Sequence, residues 1–472
     1  MDSSKLHVAI LSSPGMGHVI PVIVLGNHLA TIHGVQVTIL VITTNTSHEE
    51  CQFLKSVTLS SLVHIIALPQ VDISSKITPK TAIVTQLCMF AREALPEIRS
   101  TIASMNRKPD ALIVDLFCPS SIPIAREFDM PVYVYSPTNA WATTLFTYCH
   151  VLDKEIDGEY VDQEEPLRIP GCKPLRPEYV PDPLLDRNDQ QYHEYLNLGI
   201  EFTQSDGILV NTWEDLEANT LEALRENEIL RSIVKVPVYL IGPLTRPVEP
   251  DSLKSDISSW LDKQPTDSVI YVSFGSGGVL SAEQTNELAF GLELSQQRFI
   301  WVVRPPLDGG LTNSDDNLLD YLPEGFLNRT RELGLVVPNW AQQVEILGHP
   351  SVRGFLSHCG WNSTLETIRA SVPMIAWPLY SEQRQNAAML TEDICVAVNP
   401  QVLPTKKVVG REEIEKMVRK IMQGKEGQEM RNKMKELKFS AENALSHGGS
   451  SFNSISKVLE EMKLKAQLPI PQ

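Results

Sequence analysis

The sequence predicts an α/β protein made of two consecutive domains, each built on a doubly wound, parallel β-sheet. Short apolar runs rich in β-branched residues alternate with segments of helical spacing through the first half of the chain. The same alternation restarts after the proline-bearing stretch 238–252, which is predicted to be a linker. Strands that are apolar throughout, with helices between them, are typical of parallel sheets covered on both faces. A cleft between two such domains is the default place for a ligand.

Eleven apolar runs have the length and composition of buried strands. They are 7–13, 35–42, 63–69, 111–115, 131–137 and 207–213 in the first half and 269–276, 298–303, 334–340, 354–358 and 373–378 in the second. The first helix is predicted to follow the first strand, with Pro21 in its first turn and Gly34 just past its end.

Three stretches interrupt this alternation. Residues 152–193 are charged and rich in proline, and residues 304–320 have the sequence RPPLDGGLTNSDDNLLD. Both are predicted to be long surface loops, which in compact folds are either functional lids or decoration. The Lys- and Glu-rich segment 411–443 is predicted to form a pair of solvated amphipathic helices without a chemical role.

The charge balance and the cysteines argue against several classes of protein. The chain has 41 Lys and Arg residues against 58 Asp and Glu residues, a formal net charge of −17. This excess argues against nucleic acid or an anionic membrane as the main partner, and a bound phosphate would depend on local dipoles. Seven cysteines without a CxxC pair indicate free thiols in a reducing compartment. With no basic, apolar leader and no bilayer-length apolar run, a cytoplasmic protein is predicted.

The first predicted strand ends in SSPGMGHVIP, a glycine-bearing turn that opens a helix. This pattern suggests a dinucleotide site, but Ile20 stands where a third glycine is needed, and no acidic residue closes the second strand. His18 lies at the predicted helix N-terminus, where it would face the cleft. A helix-capping or packing histidine is the alternative.

Asp115 ends the apolar strand ALIVD and should project from the same sheet edge as His18. A carboxylate in such a place is costly to bury without a partner. A His–Asp pair would orient the imidazole and stabilise the imidazolium formed when it takes a proton. Asp115 as a cap of the next turn is the alternative. A serine-hydrolase triad is not indicated, because the G-x-S-x-G elbow is missing.

A second group of polar residues lies in FLSHCGWNSTLE, where an apolar strand ends at His358. The following helix is predicted to start near Asn362 or Ser363. Ser363 and Glu366 fit an S-x-x-E capping box, which leaves His358, Trp361 and Asn362 unexplained. Backbone N–H groups at a helix start, joined by such side chains, can form a phosphate site.

A similar anion site is predicted at FGSGG, residues 274–278. Ser276 and two glycines follow a strand there, and Ser281 with Gln284 can cap the ensuing helix. Two anion sites without a basic residue in one domain suggest a diphosphate ligand.

These residues are similar to those of a known family. The 44 residues from Trp340 to Gln383, WAQQVEILGHPSVRGFLSHCGWNSTLETIRASVPMIAWPLYSEQ, resemble the donor-binding box of plant family 1 glycosyltransferases, which use UDP-sugars. PGMGH near the start and IVDLF around Asp115 are similar to the acceptor half of the same family. PGMGHVIP and WPLYSEQ resemble the branch that glucosylates hydroquinone-like phenols, phenylpropanoids and monolignols.

The resemblance covers essentially the whole chain and implies the GT-B fold, two facing Rossmann-like domains. It implies an acceptor-binding domain at 1–244 and a UDP-sugar-binding domain at 245–455. The final helix, 456–472, would pack back on the first domain.

The resemblance also implies which residues contact each part of the donor. The uracil and ribose would be contacted by Trp340, Ala341, Gln343 and Glu366. The diphosphate would be held by Ser276, His358, Asn362 and Ser363. The sugar would be contacted by Trp361, Glu382 and Gln383, and a glutamine at the last position is usually associated with glucose in this family.

On the acceptor side, His18 is similar to the family's general base and Asp115 to its partner. The implied reaction is inverting O-glucosylation, which would form β-glucosides of small phenolic plant metabolites. UDP-glucose would be a co-substrate, with no metal or other cofactor, and the protein is predicted to be a monomer. Phe117, Asn139 and Trp141 are candidate acceptor-pocket residues, although residues there fit a core equally well.

Three alternatives remain open. The same fold could use another UDP-sugar, or an N-, S- or C-nucleophile as acceptor. A nicotinamide-dependent Rossmann oxidoreductase is disfavoured by the missing glycine and acid. A non-catalytic sugar-nucleotide binding protein would not require both His18 and Asp115.

Two positions depart from the family pattern. Gln342 replaces a frequent proline beside the uracil platform, and Ser371 stands where glycine often ends the donor-site helix. The helix exit must therefore avoid or tolerate a left-handed residue at Ser371.

Overall fold

A computed structural model describes residues 5–44, 54, 57–247, 256–306 and 321–467. The chain divides into two compact units. The first unit comprises 1–177, 183–245 and 441–472, and the second comprises 178–182 and 246–440. The assignment of residues 1–244 to the acceptor and 245–455 to the donor concerns binding and stays a prediction.

The described residues of the first unit form a seven-stranded sheet with the order β3-β2-β1-β4-β5-β6-β7. The strands are β1 (His7–Ser12), β2 (Gln36–Val41), β3 (Val63–Ala67), β4 (Ala111–Asp115), β5 (Val132–Ser136), β6 (Gly207–Val210) and β7 (Val238–Leu240). All neighbouring strands pair in parallel. The strand order changes direction between β1 and β4, and ligands of open α/β sheets bind at the carboxyl ends of such a pair.

The helices of the first unit lie between these strands in the chain. They are α1 (Met16–His33), α2 (Ile83–Glu93), α3 (Leu95–Ser104), α4 (Ile122–Glu127), α5 (Ala140–Glu155), α6 (Gln190–Phe202), α7 (Ala218–Glu226) and α8 (Glu228–Ile233). Helix α1 ends at Gly34 in the left-handed conformation, with φ 66°, as predicted. It begins earlier than predicted, at Met16, so Pro21 lies inside the helix and not in its first turn.

Alternate residues of β1 pack on opposite faces of the sheet, which is why this strand is apolar throughout. Ala9 and Leu11 belong to one core cluster, whereas Val8 and Ile10 belong to another. Both faces are thus covered, as the continuous apolar pattern predicted.

The described residues of the second unit form a six-stranded sheet with the order β10-β9-β8-β11-β12-β13. The strands are β8 (Val269–Ser273), β9 (Arg298–Val303), β10 (Gly334–Pro338), β11 (Val352–Ser357), β12 (Met374–Ala376) and β13 (Ala397–Val398). All pairs are again parallel, and the order changes direction between β8 and β11.

Helices alternate with these strands too. They are α9 (Asp256–Leu261), α10 (Ala282–Ser295), α11 (Phe326–Thr330), α12 (Gln343–Gly348), α13 (Trp361–Ala370), α14 (Gln383–Ala388), α15 (Arg411–Gln423) and α16 (Lys425–Leu445). Helix α14 continues into a π-helical turn, Met389–Asp393.

Helix α15 is more buried than predicted. The segment 411–443 does form amphipathic helices, but Ile414, Met417, Val418 and Ile421 of α15 belong to the core. Their spacing of three and four residues places them on one face of the helix, which packs on the sheet while the charged face is solvated.

The last helix, α17 (Ser450–Gln467), belongs to the first unit. Ile455, Val458 and Met462 join the core cluster that contains Val8 and Ile10. The hydroxyl of Tyr239 on β7 donates a 2.6 Å hydrogen bond to Glu461 of this helix.

Two strands escaped the sequence analysis because each is too short for an alternating pattern. Strand β7 has three residues and lies within 238–252, which was predicted to be a linker, and β13 has two residues. Residues 307–320 of the predicted loop lie outside the described residues. So do residues 248–255, which include the end of the predicted linker.

The predicted surface loop 152–193 contains short 3-10 turns and buried aromatic side chains, among them Tyr160 and Tyr179. Among the described cysteines, Cys88, Cys118, Cys149, Cys359 and Cys395 are free thiols. In the part of the chain that the structure describes, no helix combines the length and the apolarity needed to cross a membrane.

Candidate active site

The first part of the candidate site lies where β1 and β4 end next to each other. Asp115 is the last residue of β4 and is fully buried, and His18 lies in the first turn of α1, just after β1. The Nδ1 atom of His18 lies 3.3 Å from Oδ1 of Asp115 and 3.2 Å from Oδ2. The structure therefore brings together the two residues that the sequence singled out, and Asp115 is not merely a cap of the following turn.

Ser13 is a third member of this group that the sequence analysis missed. Its hydroxyl donates a 2.5 Å hydrogen bond to Oδ2 of Asp115. Ser13 directly follows β1, so it stands at the same edge of the sheet as His18 and Asp115. With Ser13 on one side and His18 on the other, the carboxylate of Asp115 has a defined orientation.

The surroundings of Asp115 contain further ionisable groups that stay protonated. Burial, and secondarily the charge of Asp115, raises the pKa of the Cys118 thiol and the Tyr135 phenol. Neither group can take a proton near neutral pH. His18 is the neighbour of Asp115 whose ring nitrogen has a lone pair that can accept a proton.

The candidate acceptor residues occupy different positions in the first unit. Phe117 packs edge-on against the imidazole of His18, with ring centroids 5.0 Å apart. Asn139 is buried, and its side chain caps α5 by accepting a 2.6 Å hydrogen bond from the backbone of Ala142. Trp141 is also buried, and its backbone N–H donates to Glu217. The role of these residues in acceptor binding stays a prediction.

The second part of the candidate site lies in the second unit, beginning at Trp340. This residue follows β10, and 45% of its surface is exposed. The guanidinium of Arg246 lies 5.8 Å from the centroid of its ring and donates a 3.2 Å hydrogen bond to Glu366. An exposed indole with a cation beside it is a suitable platform for a flat aromatic ligand. Ala341, the next residue, is buried.

Glu366 is held by its neighbours and does not cap a helix. Nε2 of Gln343 donates hydrogen bonds to Oε2 of Glu366 at 2.7 Å and to the hydroxyl of Ser363 at 2.9 Å. Helix α13 begins at Trp361, with Gly360 at the N-cap and no side-chain cap. The capping box predicted from Ser363 and Glu366 is therefore wrong, because Ser363 already lies inside the first turn.

His358 follows β11 directly and is buried, with 7% of its surface exposed. Burial, and secondarily the charge of Arg304, lowers the pKa of this histidine to about 4. Its Nδ1 atom has no hydrogen-bond partner in the described residues. His358 is consequently a neutral imidazole at physiological pH, able to donate one hydrogen bond to an anion without adding charge.

The imidazole of His358 leaves no room for a side chain at two neighbouring glycines, Gly275 and Gly360. A Cβ atom on Gly275 would lie 2.4 Å from Nε2 of His358, and one on Gly360 would lie 2.5 Å from it. The glycine-bearing turn after β8 and the start of α13 thus close on the same imidazole, because β8 and β11 are neighbours in the sheet.

The remaining diphosphate candidates lie on these two turns. Ser276 is exposed in the turn after β8, and Asn362 and Ser363 lie in the first turn of α13. Ser281 caps α10 as predicted, because its hydroxyl accepts a 3.1 Å hydrogen bond from the backbone of Gln284. The side chain of Gln284 does not complete a capping box and instead pairs with the backbone of Val409.

The turn after β8 is not electrically neutral, contrary to the sequence analysis. Arg304 follows β9 directly, and its guanidinium donates to the carbonyls of Gly275 and, at 3.1 Å, Asn339. Neither Arg246 nor Arg304 was predicted from the sequence as part of the site. Arg304 carries a signal in the sequence, since it stands at the end of a strand.

The candidate sugar-contacting residues are Trp361, Glu382 and Gln383. Trp361 is buried at the start of α13. Oε1 of Gln383 accepts hydrogen bonds from the backbone of Leu379 and Tyr380, at 3.0 and 3.1 Å.

Asn386 connects the two stretches of the donor side. Its side-chain amide donates to the carbonyl of Cys359 at 2.9 Å and to Glu382 at 3.3 Å. The strand-end stretch HCGWN and the turn with Glu382 are therefore joined within the second unit, a link that the sequence analysis did not predict.

Comparison with known proteins identifies the family to which the chain belongs. Residues 192–435, just over half of the chain, match the family of UDP-glucoronosyl and UDP-glucosyl transferases. The chain is 51% identical over 466 residues to anthocyanidin 3-O-glucosyltransferase 5 of Manihot esculenta, which covers 97% of this chain and 96% of that protein. The chain belongs to the plant family 1 UDP-glycosyltransferases, as the resemblance implied, and it is a glycosyltransferase.

Comparison with solved structures identifies the fold. The crystal structure of TcCGT1 in complex with UDP matches with a TM-score of 0.92 and 46% identity, covering 98% of this chain and all of that one. Phytolacca americana UGT2, complexed with UDP-2-fluoro-glucose and pterostilbene, matches with a TM-score of 0.87 and 38% identity over 98% of this chain and 100% of that one. The chain has the GT-B fold with two Rossmann-like domains.

Proposed function

We propose that this protein is an inverting, UDP-glucose-dependent O-glucosyltransferase that forms β-glucosides of small phenolic plant metabolites. The observation that carries the proposal is the pairing of His18 with the buried Asp115 at the switch point of the first sheet. A phenolic hydroxyl needs a base to become a nucleophile, and a positioned general base contributes roughly 10²–10⁴-fold. Binding of a UDP-sugar alone would not require such a pair.

In the proposed mechanism, His18 takes the proton of the acceptor hydroxyl. A carboxylate only accepts hydrogen bonds, so Nδ1 of His18 carries the proton that points to Asp115, and Nε2 is the basic nitrogen. The phenolic oxygen attacks the anomeric carbon as its proton moves to Nε2. The bond from that carbon to the UDP oxygen breaks, and UDP leaves with the electron pair. Displacement on the opposite side converts the α-linked donor into a β-glucoside.

Residues of the second unit would bind the donor. Trp340 would stack on uracil, Ala341 and Gln343 would lie beside the base and ribose, and Glu366 would accept from the ribose hydroxyls. The diphosphate would be bound by Ser276, His358, Asn362 and Ser363. Hydrogen-bond donors that are already in position around the departing phosphate stabilise the negative charge that develops on it as the bond breaks.

Trp361, Glu382 and Gln383 would contact the sugar. Because the amide oxygen of Gln383 is already bonded to two backbone N–H groups, its NH₂ group would donate to a glucose hydroxyl. We infer further that neither a metal nor another cofactor is required, and that the protein acts as a monomer in the cytoplasm.

The names of the similar proteins support the choice of donor and acceptor. The name of anthocyanidin 3-O-glucosyltransferase 5 states transfer of glucose to oxygen 3 of an anthocyanidin. The structure of Phytolacca americana UGT2 is a complex with UDP-2-fluoro-glucose and pterostilbene. We infer the same classes of donor and acceptor for this chain, with Phe117, Asn139 and Trp141 in the acceptor pocket.

The test is a matrix of UDP-glucose, UDP-galactose and UDP-xylose against phenols, anilines and thiols, in which UDP release and product mass are followed. We expect the highest kcat/KM with UDP-glucose and a phenol, and a product whose anomeric proton has β-configuration. Chelation with EDTA should not change the rate. An α-product, transfer to nitrogen or sulfur only, or UDP release without any acceptor would contradict the proposal.

A further inference from the structure

The segment 178–182 belongs to the second unit although the chain on both sides of it belongs to the first. It packs on the turn that carries Glu382 and Gln383. The backbone N–H of Asp182 donates to the carbonyl of Ser381 at 3.1 Å, and the backbone N–H of Ser381 donates to Oδ2 of Asp182 at 2.9 Å. Both backbone groups of Ser381 are thus bonded to a single residue that is distant in sequence.

A third interaction fixes the other oxygen of Asp182. Nη1 of Arg384, in the first turn of α14, forms an ion pair with Oδ1 of Asp182 at 2.5 Å. The side chain of Arg384 is 10% exposed and that of Asp182 25% exposed, so solvent screens this pair less than it screens a surface pair. Asp182 therefore connects Ser381 to the helix that follows it.

Ser381 needs such support because of its backbone conformation. Its φ is 61°, in the left-handed region that residues other than glycine rarely adopt. A residue in this region persists when its surroundings determine its conformation. The turn has no glycine, and the two hydrogen bonds to Asp182 hold Ser381 in this conformation.

The conformation of Ser381 controls the two residues that follow. Its hydroxyl donates a 2.7 Å hydrogen bond to Oε2 of Glu382. The next residue, Gln383, is bonded to the backbone of Leu379 and Tyr380 across the same turn. A change at Ser381 would therefore move both Glu382 and Gln383.

We propose that Asp182 is a positioning residue that holds the turn Leu379–Gln383 in the conformation that presents Glu382 and Gln383 to the sugar of the donor. Asp182 thereby sets the discrimination between UDP-sugars without contacting the sugar itself. This inference rests on the proposed function, in which these two residues contact the sugar.

The experiment compares Asp182→Ala and Asp182→Asn with the wild-type enzyme, and uses Asp186→Ala as a matched control. Asp186 is an exposed aspartate four residues further on, whose side chain bonds to Asn188. For each protein, kcat and KM are measured with UDP-glucose and UDP-galactose, and the Kd of UDP is measured by calorimetry.

We expect Asp182→Ala to lower kcat/KM for UDP-glucose by roughly 10- to 100-fold, the range in which a misplaced positioning group acts. The Kd of UDP should stay within about twofold, and the preference for UDP-glucose over UDP-galactose should fall. Asp182→Asn keeps an acceptor for the Ser381 N–H but loses the charge opposite Arg384, so its effect should be intermediate. Asp186→Ala should resemble the wild type.

A double-mutant cycle with Gln383→Ala tests whether Asp182 acts through the turn. If it does, the loss in the double variant is smaller than the sum of the two single losses, expressed as free energies. Additive effects, unchanged sugar preference, or equal losses in UDP and UDP-glucose binding would overturn the inference. If Asp182→Ala does not fold, the same criteria apply to Asp182→Asn.

These results separate failure of this inference from failure of the proposed function. If Gln383→Ala alone leaves sugar preference unchanged, the sugar-contacting role is wrong, and the inference falls with it. If Gln383→Ala lowers the preference while the Asp182 variants do not, only the positioning role of Asp182 is wrong.

Discussion

Two histidines, one in each unit, follow strands that border the point where each sheet changes direction, but they lie in opposite environments. His18 lies beyond the end of β1, where the first sheet changes direction, and His358 lies at the end of β11, where the second does. The side chain of His18 is 20% exposed and is paired with Asp115. His358 is buried, and its Nδ1 atom lacks a partner among the described residues. Burial, and secondarily the charge of Arg304, lowers its pKa.

The difference shows how one type of side chain can serve two purposes. A carboxylate beside His18 stabilises the imidazolium that forms when the ring takes a proton. The buried His358, with a cation nearby, is kept neutral and is suited to hydrogen bonding without proton transfer. The comparison thus predicts a base in the first unit and a neutral hydrogen-bond donor in the second.

The largest expected effect is that of replacing His18. His18→Ala should lower kcat by roughly 10²–10⁴-fold, because a positioned general base contributes that much. The Kd of UDP, measured by calorimetry, should be unchanged. His18→Gln serves as a control for side-chain volume and should be as inactive as the alanine variant. Near-normal rates in either variant would mean that His18 is not the base.

The sequence identified His18 and Asp115 because both stand where apolar strands end, a feature that needs no knowledge of side-chain contacts. Ser13 stands at the same edge, but an isolated serine after a strand is too common to carry a prediction. Its hydrogen bond to Asp115 depends on the register of β1 and β4, in which Leu11 pairs with Val114.

The donor side was predicted less well from local patterns. Ser363 and Glu366 matched a capping box, but α13 begins at Trp361, and Glu366 bonds instead to Gln343 and Arg246. These partners lie 23 and 120 residues away in the chain. Contacts over such separations are fixed by tertiary packing, which a local motif does not encode.

The same reason explains why the sequence missed the role of 178–182, whereas β7 was missed because it has only three residues. The segment 178–182 was predicted to be part of a proline-rich surface loop. Its contacts with Ser381, Arg384 and Asn399 of the second unit join residues that are far apart in the chain. The alternation of strands and helices, in contrast, is a local property, and it predicted both parallel sheets.

A smaller effect is expected from replacing His358. His358→Ala should lower kcat by roughly 100-fold, the lower range for removal of one donor to a developing anion. UDP binding should weaken as well, unlike in His18→Ala, because the imidazole would touch the diphosphate before and during the reaction. His358→Gln, which retains a hydrogen-bond donor, should recover part of the loss. If His358→Ala binds UDP as tightly as the wild type, the residue does not contact the diphosphate.

The smallest expected effect concerns acid stability, which follows from the lowered pKa of His358. The pKa is about 4 in the folded protein against an ordinary value of 6.5, so between these values the unfolded chain binds a proton that the folded chain does not. The free energy of unfolding should therefore fall as the pH drops from about 6.5 to about 4. Between pH 7 and pH 5 the contribution of this histidine is at most about 2 kcal/mol.

Comparison of variants separates the contribution of His358 from the contributions of carboxylates, because every variant has the same carboxylates. The free energy of unfolding is measured with urea at pH 7 and pH 5 for the wild type and His358→Gln. The decrease from pH 7 to pH 5, the acid loss, should be smaller in the variant. The pKa of His28, in the first unit, is also lowered to about 4, by burial and secondarily by His33. His28→Gln should therefore reduce the acid loss without affecting UDP binding. An equal acid loss in the wild type and His358→Gln would mean that His358 is protonated in the folded protein, and its contrast with His18 would then be lost.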